Sequence, residues 1–411
     1  MGQEMKGHRF TLTATAAVAL LATALTACGQ NRLQSSTPGQ PVTVGLITPL
    51  SPPGDVASGQ LIQRGAELGI AYVNSQMHGV LGGRRLQLAV EDSAGTNDRG
   101  VNDYRQLVTE KQAVAVTGFF HSSVNIAVNE VAHQIGVPTI STQGSAADIT
   151  AKHYPETFRT HVIDPIRVSA WLQWIEEKGF KRVAMIAETT DYGVGLVNET
   201  QRQAKARGLD IAFDAEMFDH SATDLTPQLL KAKAFGPDLL INIGVGTPMD
   251  LIVDQAREVG LSPQVPMLVS YDGPVRPQWW QLHPQDGSGV YFIAYYSPRE
   301  PLSSAGKWMA QRYQRQYHEA PVYSSLSAFG DILLIAEAID KARSTDPRKI
   351  TAALSSGSFP SWTSTPASFP DAQGPYYHTW SPPVLILHYT QPGQDWQRAE
   401  VVETFTQKTA G

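Results

Sequence analysis

The sequence predicts an α/β protein built from two doubly wound parallel-sheet lobes. Two observations carry this. Short β-branched runs alternate with segments of helical periodicity through two successive series. A further set of elements then follows the second series and has no place in a simple two-domain string, so the chain must cross back between the lobes.

The first series opens with Val42-Thr43-Val44-Gly45-Leu46-Ile47, a β-branched run followed by the loop Thr48 to Gly54. From Gln60 to Asn74 the apolar positions Leu61, Ile62, Ala66, Leu68, Ile70, Ala71 and Val73 fall at helical spacing. Leu86 to Val90 reads as a strand, Val101 to Glu110 as a helix, and Ala113 to Thr117 as a strand that runs into Gly118. Asn125 to Gln134 is helical and Val137 to Ser141 is again a strand. The second series starts after Phe158-Arg159-Thr160. It places helices at Ile166 to Lys178, Leu196 to Arg207, Leu225 to Ala234 and Met249 to Val259. Between them lie strands at Arg182 to Ala187, Asp210 to Glu216, Asp238 to Ile243 and Met267 to Ser270. The late elements are a strand at Gly289 to Tyr295, helices at Ser304 to Tyr317 and Ser324 to Ala342, and a hairpin of Val384 to Tyr389 with Trp396 to Val402 across Pro392-Gly393.

The N-terminus has a different character. Lys6 and Arg9 precede an apolar run from Thr11 to Ala24, and Leu25-Thr26-Ala27-Cys28 follows. A basic head, an apolar middle and small residues at the end make a secretory signal peptide, too short for a comfortable transmembrane span of about 20 apolar residues. Leu25 to Cys28 resembles the bacterial lipobox, in which the cysteine is lipidated; the plainer reading is an ordinary signal peptide with an incidental cysteine. Cys28 is the only cysteine in the 411 residues. If it carries the lipid, the folded body has neither disulfides nor a thiolate metal site. Residues 29–40 are polar and read as a flexible tether. The net charge of −6 and the lack of any basic run argue against nucleic acid.

From about Val42 to Val402 the chain resembles the type I periplasmic binding proteins, nearest to the branched-chain amino acid (Leu/Ile/Val) binding proteins of ABC transporters. The segments that carry the resemblance come in order: Val44-Gly45-Leu46-Ile47-Thr48-Pro49-Leu50-Ser51; Gly65 to Asn74; Gly82-Gly83-Arg84-Arg85-Leu86-Gln87-Leu88; Glu91-Asp92; Gly118 to Ser123; Val137 to Ser141; Phe158-Arg159-Thr160; Asp191-Tyr192-Gly193-Val194-Gly195; and Tyr271-Asp272-Gly273. The resemblance implies discontinuous lobes joined by a three-strand hinge. The N-terminal residues, outside the resemblance, read as a signal at 1–28 and a tether at 29–40. Lobe one is then 41–161 plus 297–370 and lobe two 162–296 plus 371–411, with crossings near Thr160, Tyr296 and Gly374. The resemblance further implies an extracytoplasmic solute-binding protein that closes on an amino acid or similar small molecule and docks on a membrane permease, and the lipobox reading of Cys28 adds a lipid anchor. No cofactor and no covalent chemistry are implied.

In an open parallel sheet, ligands bind beyond the carboxyl ends of the strands. Phe120, Ser122 and Ser123 precede a helix there, and a helix N-terminus suits a carboxylate. By resemblance, Ser122, Gly144 and Ser145 hold an α-carboxylate, while Asp272 and Tyr192 meet the ammonium end. Phe120 and Tyr271 are candidates for the walls of the pocket, as are Phe119 and Tyr323. The same residues also admit plainer roles: Ser122 and Ser123 as helix caps, Asp272 as a turn residue, and Tyr192 as a packed tyrosine. The chain departs from the family pattern at Pro52-Pro53 and at Gly244 to Thr247, where amino acid binders often carry aromatic residues. The α-amino-acid grip is thus better preserved than the pocket for a leucine-like side chain.

Two rival classes remain at this point. The same fold serves as the ligand-sensing part of signalling systems. An exported hydrolase would need a nucleophile, but there is no Gly-x-Ser-x-Gly elbow or His-Glu-x-x-His helix, the histidines form no metal spacing, and His121 beside Ser122 is a poor geometry for a nucleophile and its base. Gly193-Val194-Gly195 lacks the third glycine of a dinucleotide fingerprint, because Asn198 stands in its place.

Overall fold

The computed structural model describes residues 39–406; Cys28 and the leader lie outside the described residues. The first sheet contains β1 (Val42–Thr48), β2 (Leu86–Asp92), β3 (Val116–Phe119), β4 (Thr139–Ser141) and β5 (Thr157–Arg159). They run in the order β2-β1-β3-β4-β5 and all pair in parallel. Between them come α1 (Val56–Ser75), α2 (Asn97–Thr109), α3 (Ser122–Ile135) and the short α4 (Asp148–Ala151).

The second lobe alternates in the same way through α5 (Asp164–Lys178), β6 (Arg182–Glu188), α6 (Asp191–Ala206), β7 (Ala212–Phe218), α7 (Thr226–Phe235), β8 (Leu239–Ile243), α8 (Thr247–Glu258), β9 (Met267–Val269), α9 (Trp279–Leu282) and β10 (Val290–Ala294). Its seven-stranded sheet has the order β14-β13-β10-β9-β8-β6-β7, where β13 (Val384–His388) and β14 (Glu400–Phe405) add an antiparallel edge. Both sheets therefore reverse strand order beside their first strand, at β1/β3 and at β6/β8. Crevices form at such switch points.

The late helices return to lobe one: α10 (Ser304–Tyr317), α11 (Tyr323–Ala342) and α12 (Pro347–Ser355), followed by a small ribbon of β11 (Ser358–Phe359) and β12 (Ala367–Ser368). Neither α12 nor the ribbon is foreseen by periodicity. Trp396–Arg398 is a 3-10 turn, so the last strand starts at Glu400 and not at Trp396. α11 is buried along nearly its whole length, with apolar residues on every side and a few buried serines and Asp331 among them. It packs on α1 at two glycines: a methyl group at Gly65 would lie 2.1 Å from the Ser325 carbonyl oxygen, and one at Gly69 would lie 2.7 Å from the Ile332 Cβ.

A single carboxylate joins this central helix to the strand ends. Asp331 of α11 is fully buried; its Oδ2 accepts hydrogen bonds from the hydroxyls of Thr117 (2.8 Å) and Thr142 (2.6 Å), and its Oδ1 accepts one from Thr160 (2.6 Å). Thr117 lies in β3, Thr142 just beyond β4, and Thr160 just beyond β5.

The chain passes between the sheets after β5, after β10 and before β13. The last passage falls at 381–383, later than the expected position near Gly374. The segment before it still belongs to lobe one: the Arg159 N–H donates to the His378 carbonyl (3.0 Å), the Trp380 N–H donates to the Arg159 carbonyl (2.9 Å), and Thr379 bridges Arg159 in parallel.

The lobes also touch beside the cleft. Arg276, in the loop that follows β9, binds the carboxylate of Asp55 at the N-terminus of α1. It also donates to Ser58 Oγ (3.1 Å) and to Tyr271 Oη (2.7 Å). Asp55 is an N-cap as well, accepting from the Ser58 N–H at 3.1 Å.

Replacing Gly65 by Ala should cost about 1–3 kcal/mol in urea unfolding, because backbone must give way. The Gly195→Ala control should cost far less, since its methyl would meet only Asp164 Oδ2 at 3.7 Å. Arg276→Met should leave Asp55 without its counter-ion and favour separated lobes. Small-angle scattering should then give a larger radius of gyration; an unchanged radius would show that the pair does not hold the lobes together.

Candidate functional site

The loops at the two switch points face each other across a cavity of about 890 Å³. That volume suits a small organic molecule with room to spare. The wall from lobe one comes from Pro53, the loop 95–98, Phe120 to Ser123, Gln143 and Ser145. His161 lies on the first passage between the lobes. Lobe two contributes Arg167, Glu188 to Tyr192, Val245, Tyr271, Asp272 and Tyr295.

Of the residues singled out in the sequence, Phe120, Ser122, Ser123, Ser145, Tyr192, Tyr271 and Asp272 line this cavity. Gly144 does not. A methyl there would meet Ile149 Cδ1 and Ser141 Oγ, both at 2.8 Å, so its lack of a side chain serves the packing beneath the loop. Phe119 is buried in the lobe-one core, and Tyr323 sits behind His161 rather than on the wall.

The capping role considered for the two serines does not hold. The N-cap of α3 is His121, and no side chain caps that end. Ser122 Oγ instead accepts from the N–H groups of Ser145 and Ala146, each at 3.2 Å. It thereby ties the loop after β4 to the helix, and its hydroxyl proton remains to be donated. Ser123 Oγ accepts from the Asp191 N–H at 3.3 Å, across the cleft. The α3 N-terminus thus points a positive dipole end and hydroxyl groups into the cavity.

Opposite stands Asp272, 5% exposed. Gln143 Nε2 donates to its Oδ1 at 3.5 Å, while Oδ2 has no hydrogen-bond partner among the described residues. Burial pushes this carboxyl up to about 6, against the pull of Arg276. Glu188, buried at the end of β6, is pushed by burial up to about 8 although it accepts from the Val245 N–H (2.6 Å) and from Thr190 (3.2 Å). Burial drives His121 down to about 4 and keeps His161 well below the usual imidazole range, so both rings are neutral near pH 7.

Sequence reasoning missed a second cluster. Arg167, in the first turn of α5, is 1% exposed and donates to Tyr192 Oη at 3.0 Å. Arginine only donates, so His161 Nε2 accepts from it at 3.3 Å. That leaves the His161 proton on Nδ1 for Tyr323 Oη (3.1 Å), whose own hydroxyl goes to the Thr160 carbonyl (2.8 Å). Tyr192 in turn bonds Ser270 Oγ at 2.8 Å. The one available signal was an arginine set between the apolar residues Ile166 and Val168.

The comparisons agree with this architecture. The profile of the periplasmic binding protein family matches residues 41–380. Leu/Ile/Val-binding protein homolog 1 of Brucella abortus is 25% identical over 315 residues, which cover 76% of this chain and 82% of that protein. The branched-chain amino acid transporter substrate binding protein LivJ from Streptococcus pneumoniae, solved in complex with isoleucine, superposes with a TM-score of 0.75 at 22% identity, over 89% of this chain and 99% of that one. A solute binding protein of an ABC transporter from R. palustris, solved with benzoate, gives a TM-score of 0.74 at 18% identity, over 89% and 96%. Fold, cleft and family profile coincide over the same residues: the chain belongs to the periplasmic binding proteins, in their two-lobed type I form.

Proposed function

We propose that this chain is the solute-binding subunit of an ABC importer and takes an amino acid or related small carboxylate between its lobes. The observation that carries the reading is the polarity of the cavity. An uncapped helix end with Ser122, Ser123 and Ser145 lies on one side, and the buried carboxylate of Asp272 with an unpaired oxygen on the other. A zwitterion satisfies both ends. Lobe one receives the carboxylate, and closure adds Tyr192 and Asp272. The ligand favours the closed form by its differential affinity for it. No step makes or breaks a covalent bond. The curated relatives are solute-binding proteins, which supports an extracytoplasmic place for this one. We further propose that the lipid on Cys28 holds it to the membrane beside its permease.

A second reading has one observation in its favour. Phe120, Tyr192, Tyr271 and Tyr295 set four aromatic rings on the cavity wall, and a solved structural neighbour binds benzoate. An aromatic acid would use the helix end and leave Asp272 without a cation.

Ligand-induced thermal shift against amino acids and aromatic acids separates the two. Asp272→Asn should lower affinity for a zwitterionic ligand about 10- to 100-fold by calorimetry. Unchanged affinity removes Asp272 from the site. The wild-type affinity for an ammonium ligand should rise between about pH 5 and 7, as Asp272 ionises around its raised value of about 6, and fall again on acidification. An aromatic acid lacking an ammonium group should show no such rise. Cys28→Ala should move the protein from the membrane to the soluble fraction; persistent membrane association would end the lipidation reading.

A further inference from the structure

Arg167 is the feature of the cavity that the proposed zwitterion leaves unanswered. It is 1% exposed and lines the cavity, yet its Nε has no hydrogen-bond partner among the described residues. Its nearest carboxylate, Asp164 Oδ1, lies 3.8 Å from Nη1, beyond hydrogen-bond distance. Asp164 is also shared: Arg159, fully buried, acts on the same carboxylate. Two guanidinium groups thus lean on one carboxyl, which burial pushes up against their pull, and a buried cation without a full counter-ion is costly.

The surroundings hold Arg167 in place for a ligand. Tyr192 and His161 fix two of its nitrogens, and the His161 ring is itself fixed by Tyr323. Its guanidinium carbon lies 5.4 Å from the Tyr192 ring and 5.6 Å from the Tyr295 ring. The Tyr295 hydroxyl is fully buried on the same wall and also lacks a partner among the described residues. Among the described residues that line the cavity, the donors Arg167 Nε–H and Tyr295 O–H and the acceptors Asp272 Oδ2 and Gln143 Oε1 lack protein partners, as do Ser145 Oγ and His220 Nε2. An aliphatic side chain placed among them would strand the donors in a dry site. A carboxylate would satisfy them, and a planar guanidinium is suited to bind one bidentately.

We propose that Arg167 reads a second acidic group on the solute, so that the cleft is built for an acidic amino acid rather than a leucine-like one. The inference rests on the solute-binding reading above. The α-carboxylate goes to the α3 N-terminus, the ammonium group to Asp272, and the side-chain carboxylate to Arg167 and Tyr295.

Calorimetry on the wild-type protein with L-glutamate, L-aspartate, L-leucine and benzoate decides the matter by itself. One of the two acidic amino acids should bind at least tenfold more tightly than L-leucine and benzoate. Arg167→Met should lower its affinity about 100-fold, at least tenfold more than it lowers weak L-leucine binding, while Arg167→Lys should restore part of the loss. If L-leucine or benzoate binds the wild type as tightly as the acidic amino acids, the inference fails and the solute-binding reading stands. It also fails if Arg167→Met weakens L-leucine and the acidic ligand equally, because Arg167 would then read the α-carboxylate. If none of the four ligands, nor any other amino acid or small carboxylate, binds the wild type, both readings fall. Circular dichroism checks that the Arg167 variants fold; if they do not, the wild-type selectivity alone upholds or overturns the assignment.

Discussion

Three of the loops at the mouth of lobe one meet at the carboxylate of Asp331. A parallel sheet alone does not dictate where its loops end. Here one buried acceptor gathers hydroxyls from β3, from the residue after β4 and from the residue after β5. Burial raises this carboxyl to about 6, opposed by the three threonine hydroxyls. The group therefore sits under electrostatic load, and the fold accepts that load because it brings three strand ends and the central helix to one point. The loop carrying Phe120 and Ser122, the loop carrying Gln143 and Ser145, and the first passage with His161 all start from this point. The order of the site follows from the order of the clamp.

The second constraint is the matching of the two sheets. Each reverses strand order beside its own first strand, so each opens a crevice at its carboxyl edge, and the lobes bring those edges together. The charges are distributed accordingly. The pair of Asp55 and Arg276 closes one side of the interface without entering the ligand's place, and Tyr271 links the pair to Gly246 through the Gly246 N–H (3.0 Å). Toward the hinge, Arg167 and His161 form a tyrosine-bound cluster of their own. Lobe contact and solute contact meet at Tyr271, which lines the cavity and holds Arg276, and at Ser123 and Gln143, which bond across it to Asp191 and Asp272, so closure and selectivity are coupled through these residues.

The lobes and most elements were legible in the sequence because their signals are local. β-Branched runs such as Val42 to Ile47 and the helical spacing of Leu61 to Val73 repeat the same grammar through both series. The loops holding Ser122, Ser145, Tyr192 and Asp272 were legible through their position after strands. Arg167 and Asp331 were not, because each lies inside a helix whose apolar pattern hides it, and their partners are distant in sequence: Thr117 is 214 residues from Asp331. Gly144 was misplaced for a related reason. A glycine after a strand looks the same whether it makes room for a ligand or for Ile149 below it. The α12 helix and the ribbon after it carry too short a pattern to stand out.

The late third passage has a mechanical meaning. Because 378–380 run alongside Arg159, two of the three passages lie side by side, and Ser381 Oγ reaches the His161 carbonyl at 3.4 Å. His161 also stacks edge-on against Tyr295 of the remaining passage, with ring centroids 4.5 Å apart. Three neighbouring strands of chain behave as a strap rather than as three separate strings. A strap bends more readily about the line it lies along than it twists, and its place here is that of the spine of a book.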